Sequence, residues 1–464
     1  MKNQPGRSKS AGFAWLLPFL LVLLGGCDVH NKLANLQFNE GVKKYQAGDH
    51  AGALDDFSAA IRQNPKLAAA YLYRGAIELS ASNFPVAIKD FEKVIELEPD
   101  NSLAFMNRGM AEHGLWNYAA AVTNFSEAIR LDAADPVALK CRGLSLVQLR
   151  DWNGALADFN QAMSLDPDDP ELYRDRAGVE VMQKDYENGI ADATQAIAMD
   201  DRDSIAYRFR GLGRTRLKDF AGALADFDEA LTLNPSDAET FAGRATVRVI
   251  QGDLAAAETD LATATRVNPK NRTALMGLGY VKMKRGDLTG ALAVFTKAAV
   301  IGPPFPEIYV SLGQVQALLH QDAAALQSLR QALGLDPRLS YARFRIWLIR
   351  ARQGEQAEAT QELRAQLAAR PADPGQAWAL CVGRFLTGDS AETNFLLQAV
   401  ETAKRPTDTL GQLCEARYYA GMKRLIDGDK AGARELLKQC EATRADNFIE
   451  YTSALVELRE LNQQ

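Results

Sequence analysis

Residues 136–169 read PVALKCRGLSLVQLRDWNGALADFNQAMSLDPDD, and the order of small and large residues in this stretch decides the fold. Gly143 stands in its eighth place, Ala155 in its twentieth and Phe159 in its twenty-fourth. Two small residues at this spacing predict a close contact between two helices, and the phenylalanine fills the space beside that contact. The Asp-Pro pair near the end predicts where the second helix stops, because proline disfavours helical backbone at the residue before it.

The same spacing recurs along most of the chain. In a frame that starts at residue 34, the eighth place is Gly or Ala in nine of ten units, and the twentieth place is Ala or Gly in all ten. Prolines separated by 34 residues or a multiple of 34 stand at positions 65, 99, 167, 235, 269, 303, 337 and 371. The pattern therefore divides residues 34–373 into ten units without an insertion.

This arrangement resembles the tetratricopeptide repeat (TPR), a helix-turn-helix unit of 34 residues. The resemblance implies an all-α fold, a right-handed superhelical solenoid with a concave groove, in which neighbouring units bury each other's apolar faces. With the weaker pattern that follows residue 373, we expect about 12 TPR-like units and a C-terminal capping helix.

Residues 374–464 continue the pattern in degenerate form. Residues 374–407 are predicted to form a helical pair with Leu397 as the large filler and Pro406 as the stop. Residues 414–445 fit the frame again, with Gly421, Ala433 and Leu437 in the three packing places. Apolar residues after residue 447 predict a closing helix that shields the last apolar face.

The N-terminus has the features of an export signal. A positively charged stretch precedes an apolar run over residues 13–24, which contains Pro18 and is shorter than the ~20 apolar residues of a membrane span. These features predict that residues 1–26 form a signal peptide. A transmembrane helix is the alternative interpretation.

The segment Leu24-Gly25-Gly26-Cys27 also resembles the lipobox of bacterial lipoproteins. The resemblance implies that Cys27 becomes the lipidated N-terminus, with a diacylglyceryl group on its thiol and acylation of its amine. Two or more acyl chains give stable membrane anchoring. Residues 27–33 are then the lipidated N-terminus and a short tether, on the periplasmic side of the membrane. Asp28 is similar to the signal that retains lipoproteins in the inner membrane, and the outer membrane remains the alternative.

By the TPR resemblance, the second, fifth, ninth and twelfth places of each first helix line the concave groove. These places hold apolar residues in the early units and basic residues further along, namely Leu72, Met106, Met110 and Leu144, then Lys140, Arg174 and Arg208. A partner segment with apolar residues followed by carboxylates would fit such a surface. The alternative is that these are ordinary solvated or packed side chains.

A row of arginines occupies the seventh place in six consecutive units, from Arg74 to Arg244. In the same units the twenty-third place is Asp, or Asn in one of them, and the arginine and its acceptor are mostly absent together elsewhere. This covariation favours a structural contact between the two helices over a ligand-binding site.

The fifth unit departs from the pattern, because Ala177, Gly189 and Ala193 occupy its three packing places. The missing large filler predicts a gap, and with it a weak point or hinge at residues 170–203.

The positions of the cysteines and histidines indicate which disulfides, reactive thiols and metal or catalytic sites the chain can form. Cys414 and Cys440 fall on antiparallel helices, and a disulfide between them is a hypothesis that an oxidising compartment would allow. Cys141 and Cys381 are predicted to be packed, unreactive thiols. The four histidines lack the partner spacing of catalytic or metal sites, so we expect no enzyme activity, metal or cofactor. A net charge of -6 with no strongly basic block argues against nucleic acid as a partner.

The lipobox and the C-terminal tail together resemble the NlpI group of TPR lipoproteins, whose members act as adaptors for peptidoglycan hydrolases and an envelope protease. The resemblance implies a membrane-anchored adaptor or scaffold that binds protein partners in the bacterial cell envelope. The alternative is a structural component of an envelope secretion or assembly complex that contacts its neighbours through the convex face or the cap. The oligomeric state is left open.

Overall fold

The computed structural model describes residues 16–369, 376–403, 406–445 and 448–463, with side chains from Val29 onward except at 406–407. Within these ranges the fold is all-α, with 25 helices and no strand. The helices form two compact units, the first ending at Asp219 and the second beginning at Phe220. The predicted all-α repeat solenoid is confirmed.

Each repeat contributes two helices, and those between residues 50 and 368 are 12 to 14 residues long. Those of the first unit are α1 (Leu16–Gln46), α2 (His50–Gln63), α3 (Ala68–Ser80), α4 (Phe84–Leu97), α5 (Ser102–Gly114), α6 (Tyr118–Leu131), α7 (Pro136–Gln148), α8 (Trp152–Leu165), α9 (Pro170–Met182), α10 (Tyr186–Met199) and α11 (Ser204–Arg216). Those of the second unit are α12 (Phe220–Leu233), α13 (Ala238–Ile250), α14 (Leu254–Val267), α15 (Arg272–Lys284), α16 (Leu288–Ala299), α17 (Pro306–Leu318), α18 (Asp322–Leu335), α19 (Ser340–Arg352), α20 (Gln356–Ala368), α21 (Ala377–Leu386), α22 (Glu392–Glu401), α23 (Pro406–Ile426), α24 (Lys430–Ala442) and α25 (Ile449–Gln463).

The helix boundaries follow from local sequence. In repeat four, Asp135 caps α7 by accepting hydrogen bonds from the backbone amides of Val137 and Ala138, and Asp151 caps α8 through the amide of Gly154. Such caps satisfy amides that have no partner inside the helix. An Asp or Asn N-cap starts six successive first helices in this way, from α5 to α15.

The small and large residues of the repeat pack as predicted. Phe159 is fully buried, and a Cβ atom added to Gly143 would lie 2.7 Å from its Cε1 atom. The phenylalanine ring therefore occupies the space that a side chain at the eighth place would need. Burying such a ring contributes about 1.5 to 3 kcal/mol to stability, and the same contact repeats at Gly75 with Phe91 and at Gly109 with Phe125.

The gap predicted in the fifth repeat is closed. A Cβ atom added to Gly189 would lie 2.8 Å from a methyl group of Val181 and 3.1 Å from the carbonyl oxygen of Ala177. The two helices thus approach until backbone meets backbone, and both Ala177 and Ala193 are fully buried. The small residues let α9 and α10 approach closely instead of leaving a void. The hinge predicted at residues 170–203 was argued from such a void, so this packing removes its basis.

The C-terminal helices correct two predictions. Leu397 is 55% exposed and does not fill the degenerate pair, whereas Phe395 on the same helix is fully buried. Pro406 is the first residue of α23 and does not stop the preceding helix, which ends at Glu401. Proline suits the first turn of a helix because its missing amide hydrogen is not needed there.

The later part of the tail agrees with its prediction. Ala433 and Leu437 are fully buried, and a Cβ atom on Gly421 would lie 3.0 Å from Leu437. The closing helix is α25, in which Leu458 and Leu461 are buried.

The N-terminal predictions fall mostly outside the described residues. Residues 1–15 of the predicted signal peptide lie outside them, and so does the side chain of Cys27. Residues 28–33, predicted as a tether, lie inside α1, which runs unbroken from Leu16 to Gln46. The first repeat helix therefore begins before residue 34. Along the described residues, no helix combines the length and the apolar character needed to cross a bilayer.

Candidate protein-binding groove

The predicted groove residues lie on successive first helices of the first unit. Leu72 is on α3, Met106 and Met110 are on α5, and α7 carries Lys140 and Leu144. Arg174 follows on α9 and Arg208 on α11. Each of these helices contacts the next one, and all seven side chains are half-buried. The repeat thus places the predicted residues in one row across adjacent repeats.

The apolar end of this row rests on the core. Leu72 packs against the buried clusters around Val94 and Phe91, and Leu144 packs against the cluster that contains Phe159. Between them lie the half-buried thioether side chains of Met106 and Met110. Methionine adapts to irregular partner surfaces because its chain is unbranched and polarizable. We name Leu72, Met106, Met110 and Leu144 the apolar row.

The basic centre is internally paired. The Lys140 ammonium lies 2.9 Å from a carboxylate oxygen of Asp169 and 2.9 Å from one of Glu171. Burial works against the charge, but these two carboxylates together raise the pKa of Lys140 above its ordinary value. Lys140 is therefore engaged before any partner arrives.

Arg174 is paired in the same way. Its guanidinium lies 2.9 Å from Asp175 and 3.4 Å from Asp203. One carboxylate oxygen of Asp175 is buried without a hydrogen bond from any described residue, and burial raises the pKa of Asp175. The Arg208 guanidinium stands 4.9 Å from the ring centroid of Phe209, a cation–π contact.

These pairs modify the expectation that the basic centre grips a partner's carboxylates. Asp169 and Asp203 are the N-cap residues of α9 and α11, so a cation in the fifth place lies beside the acidic residue that starts the next first helix. A partner carboxylate would have to displace these internal acids. The sequence carried this signal, because the capping aspartates recur at the last place of the repeat.

His113 joins two first helices at the edge of the apolar row. Its Nδ1 lies 2.8 Å from the hydroxyl oxygen of Ser145 on α7, and its ring meets the edge of Tyr118 at 5.1 Å between centroids. Half-burial lowers the pKa of His113. The histidine therefore acts as a structural polar contact in this position.

The arginines of the seventh place form the predicted structural contacts. Arg142 donates from Nε and Nη2 to the two oxygens of Asp158, at 2.8 and 2.7 Å. Its Nη1 donates to the hydroxyl of Ser126 in the preceding repeat, at 3.1 Å. Equivalent bidentate pairs join Arg74 to Asp90, Arg176 to Asp192 and Arg244 to Asp260.

The acceptor in the preceding repeat was missed by the sequence analysis. It stands at the twenty-fifth place and is a serine, an asparagine or an aspartate, namely Ser58, Ser126, Asn160 and Asp228. These four arginines, Arg74, Arg142, Arg176 and Arg244, therefore each tie two neighbouring repeats together. In repeat three the contact within the repeat differs, because Asn124 donates to its own helix. Arg108 still reaches the twenty-fifth place of the preceding repeat, where Glu92 lies 3.2 Å away.

The cysteines agree with a structural role. The Cys414 and Cys440 sulfurs lie 2.9 Å apart, both fully buried and unbonded in this structure. The disulfide stays a prediction. Burial raises the pKa of Cys141 to about 11 and also raises that of Cys381, so neither is an activated thiol.

The part of the chain that the structure describes holds no cluster of three or more histidine, cysteine, aspartate or glutamate side chains arranged to bind a metal ion. The arrangement that does recur is a row of side chains across stacked helices. Such a surface suits an extended or helical protein segment.

Solved structures of similar fold share little sequence with this chain. A tetratricopeptide repeat protein from Parabacteroides merdae is 20% identical, with a TM-score of 0.46 over 53% of this chain and 98% of that one. Pseudomonas aeruginosa pilF is 18% identical, with a TM-score of 0.40 over 49% and 98%. YrrB, a TPR protein with an unusual peptide-binding site, is 18% identical, with a TM-score of 0.33 over 40% and 95%.

Comparison with the curated proteins finds no match. The tetratricopeptide-repeat family model matches residues 38–88, 77–136, 142–198, 183–238 and 243–305, which together make up more than half of the 464 residues. These matches fall on the repeats whose helices, glycine contacts and arginine pairs are described above, and the chain therefore belongs to the tetratricopeptide-repeat family.

Proposed function

We propose that this protein is a membrane-anchored adaptor or scaffold that binds protein partners in the bacterial cell envelope through the concave face of its early repeats. The observation that carries the proposal is the apolar row, which stays half-buried on the first helices of repeats two to four. A row of adaptable apolar side chains beside fixed charges provides contact area and register for one partner segment.

The internal ion pairs refine the partner's chemistry. Lys140 and Arg174 are balanced by Asp169, Glu171 and Asp203, so the charged part of the groove orients a partner more than it attracts one. Affinity then comes mainly from apolar side chains that meet Met106 and Met110. Burying such side chains contributes about 25 cal/mol for each Å² removed from water, and the entropic cost of association offsets part of this gain.

A crosslinking pull-down from native membranes tests this groove. The full chain is compared with a Met106→Gln/Met110→Gln variant, which keeps side-chain length while adding polarity. The matched control, Val86→Gln/Leu165→Gln, alters two residues of the second helices that are 38% and 42% exposed. We expect the partner to be retained by the control and reduced by roughly tenfold or more in the groove variant. Loss of the partner from the control variant alone would instead support a structural component that binds through its convex face.

The anchor rests on the lipobox residues and needs its own test. A Cys27→Ser variant should leave the membrane fraction and take up no labelled palmitate, because two acyl chains supply the stable attachment. A Cys27→Ser protein that still fractionates with membranes and incorporates label would refute the lipid anchor. Fractionation of inner from outer membranes, with an Asp28→Ser comparison, then assigns the membrane.

A further inference from the structure

The closing helix α25 does more than cover the end of the repeats. It lies against α17, α19 and α23 of the second unit, where it contacts residues 105 to 140 positions earlier in the chain. In the repeat frame, Gln314 and Leu348 stand at groove-lining places of repeats nine and ten, and they are only 2% and 5% exposed. The equivalent places of repeats two to four are half-buried. At repeats nine and ten the groove is therefore occupied.

The occupying face of α25 is acidic. Glu450, Ser453, Glu457 and Glu460 follow one another at intervals of three and four residues, so they share one side of the helix. The exposed fractions of Glu450, Ser453 and Glu457 are 4%, 2% and 7%.

The surface beneath is correspondingly basic and polar. Arg345 lies 3.1 Å from Glu450, and Arg352 lies 3.6 Å from Glu457. The imidazole of His320 lies 3.1 Å from Glu460. These three contacts repeat along the helix, each about one or two turns after the last, so the surface matches the spacing of carboxylates on an acidic helix.

The fit of α25 to this surface is incomplete. The amide nitrogen of Gln314 donates to Ser453 at 3.2 Å, but its carbonyl oxygen is buried without a hydrogen bond from any described residue. A cavity of about 30 Å³ lies between α17, α19, α23 and α25. Burial also raises the pKa of Glu457, which reflects the cost of removing its carboxylate from water. A buried ion pair of this kind adds little to stability, because the cost of removing both charges from water offsets their attraction.

We propose that the concave face of repeats nine and ten is a docking site for an acidic helix of a partner protein, and that α25 occupies it in the free chain as an internal ligand. The partner helix carries carboxylates seven residues apart with a small residue between them, as Glu450, Ser453 and Glu457 do. A hydrogen-bond donor on that helix would satisfy the free oxygen of Gln314. This site is separate from the apolar row and does not depend on it.

The internal helix lowers the apparent affinity for any competitor. A ligand that binds only the open site sees its affinity reduced by the fraction of molecules in which the site is open. Weakening the contacts of α25 should therefore expose the site without changing it.

The probe is a fluorescein-labelled peptide with the sequence of residues 448–463, titrated against the full chain by fluorescence anisotropy. The test variant is Glu450→Gln/Glu457→Gln, which removes the acidic contacts from α25 and leaves Arg345 and Arg352 in place. The matched control, Glu435→Gln/Glu441→Gln, removes two exposed acids from α24. We expect the test variant to bind the peptide at least roughly tenfold more tightly than the wild type or the control.

Two further variants test whether the peptide binds through the predicted ion pairs. Adding Arg345→Met to the test variant should abolish peptide binding, and so should replacing both glutamates of the peptide by glutamine. Hydrogen exchange in α19 and α23 shows whether the test variant keeps its fold. A folded test variant that binds no peptide overturns the proposal and leaves α25 as a structural cap. A test variant that dimerises without binding peptide overturns it in favour of a second copy of this chain.

Discussion

Replacing Asp158 by alanine removes one side of the bidentate pair with Arg142 and leaves a guanidinium without its carboxylate. The Asp158 side chain is 6% exposed and that of Arg142 is 23% exposed. Breaking a fully buried pair costs about 3 to 5 kcal/mol. Water can reach part of Arg142, and the hydrogen bond to Ser126 survives, so we expect a loss of about 2 to 4 kcal/mol.

Hydrogen exchange is the suitable assay, because a repeat array need not unfold in one cooperative step. Peptides from α7 and α8 should exchange roughly 30- to 700-fold faster in Asp158→Ala, since 1.4 kcal/mol corresponds to a factor of ten. The matched control is Asn124→Ala in repeat three, where the asparagine donates only to the backbone oxygen of Ala120. That change should cost about 1 kcal/mol or less.

The comparison of the two variants decides the outcome. Equal effects of Asp158→Ala and Asn124→Ala would refute the argument that the pair of Arg142 with Asp158 holds the two helices of repeat four together. An Arg142→Met/Asp158→Leu double variant should recover part of the loss, because it leaves no buried charge without a partner.

Three other predictions concern the core, the tail and its thiols. Phe159→Ala should lower local stability by about 3 to 5 kcal/mol in urea or exchange measurements, because the ring fills the space beside Gly143; a loss below about 1 kcal/mol would contradict this packing. Burial and the nearby Glu450 raise the pKa of Glu415 to about 8. Its folded pKa then lies above the ordinary value, so stability should be greatest at acid pH and fall as pH rises towards about 8. Thermal melting should show that slope in the wild type, and Glu415→Gln should make it shallower, because the raised pKa values of Asp175 and Glu457 act in the same direction; identical profiles would contradict the assignment. Protein isolated without reductant and then denatured should show Cys414 and Cys440 protected from alkylation, and labelling of both would remove the disulfide hypothesis.

Features repeated with a fixed period could be predicted from the sequence. The contact of Gly143 with Phe159 and the pairing of Arg142 with Asp158 recur every 34 residues, so each copy supports the others. The degenerate pair after residue 373 has no such support. The residue that fills its core is therefore Phe395, two places before the predicted Leu397.

Contacts between distant elements could not be predicted. The pairing of Arg345 with Glu450 joins residues 105 positions apart, and no local period relates them. The neutralisation of Lys140 by Asp169 was accessible in principle, because both places recur in the frame. Predicting this pair also required knowing that the fifth place of one first helix lies beside the N-cap of the next first helix. The 34-residue period alone does not give that distance.

Site-specific photocrosslinking tests whether partners bind the concave face of the early repeats. A photoreactive amino acid replaces Met106 in one strain and Val86 in another, and crosslinking is carried out in living cells. We expect a discrete protein adduct from residue 106 and none from residue 86. An adduct from residue 86 with none from residue 106 would contradict binding to the concave face.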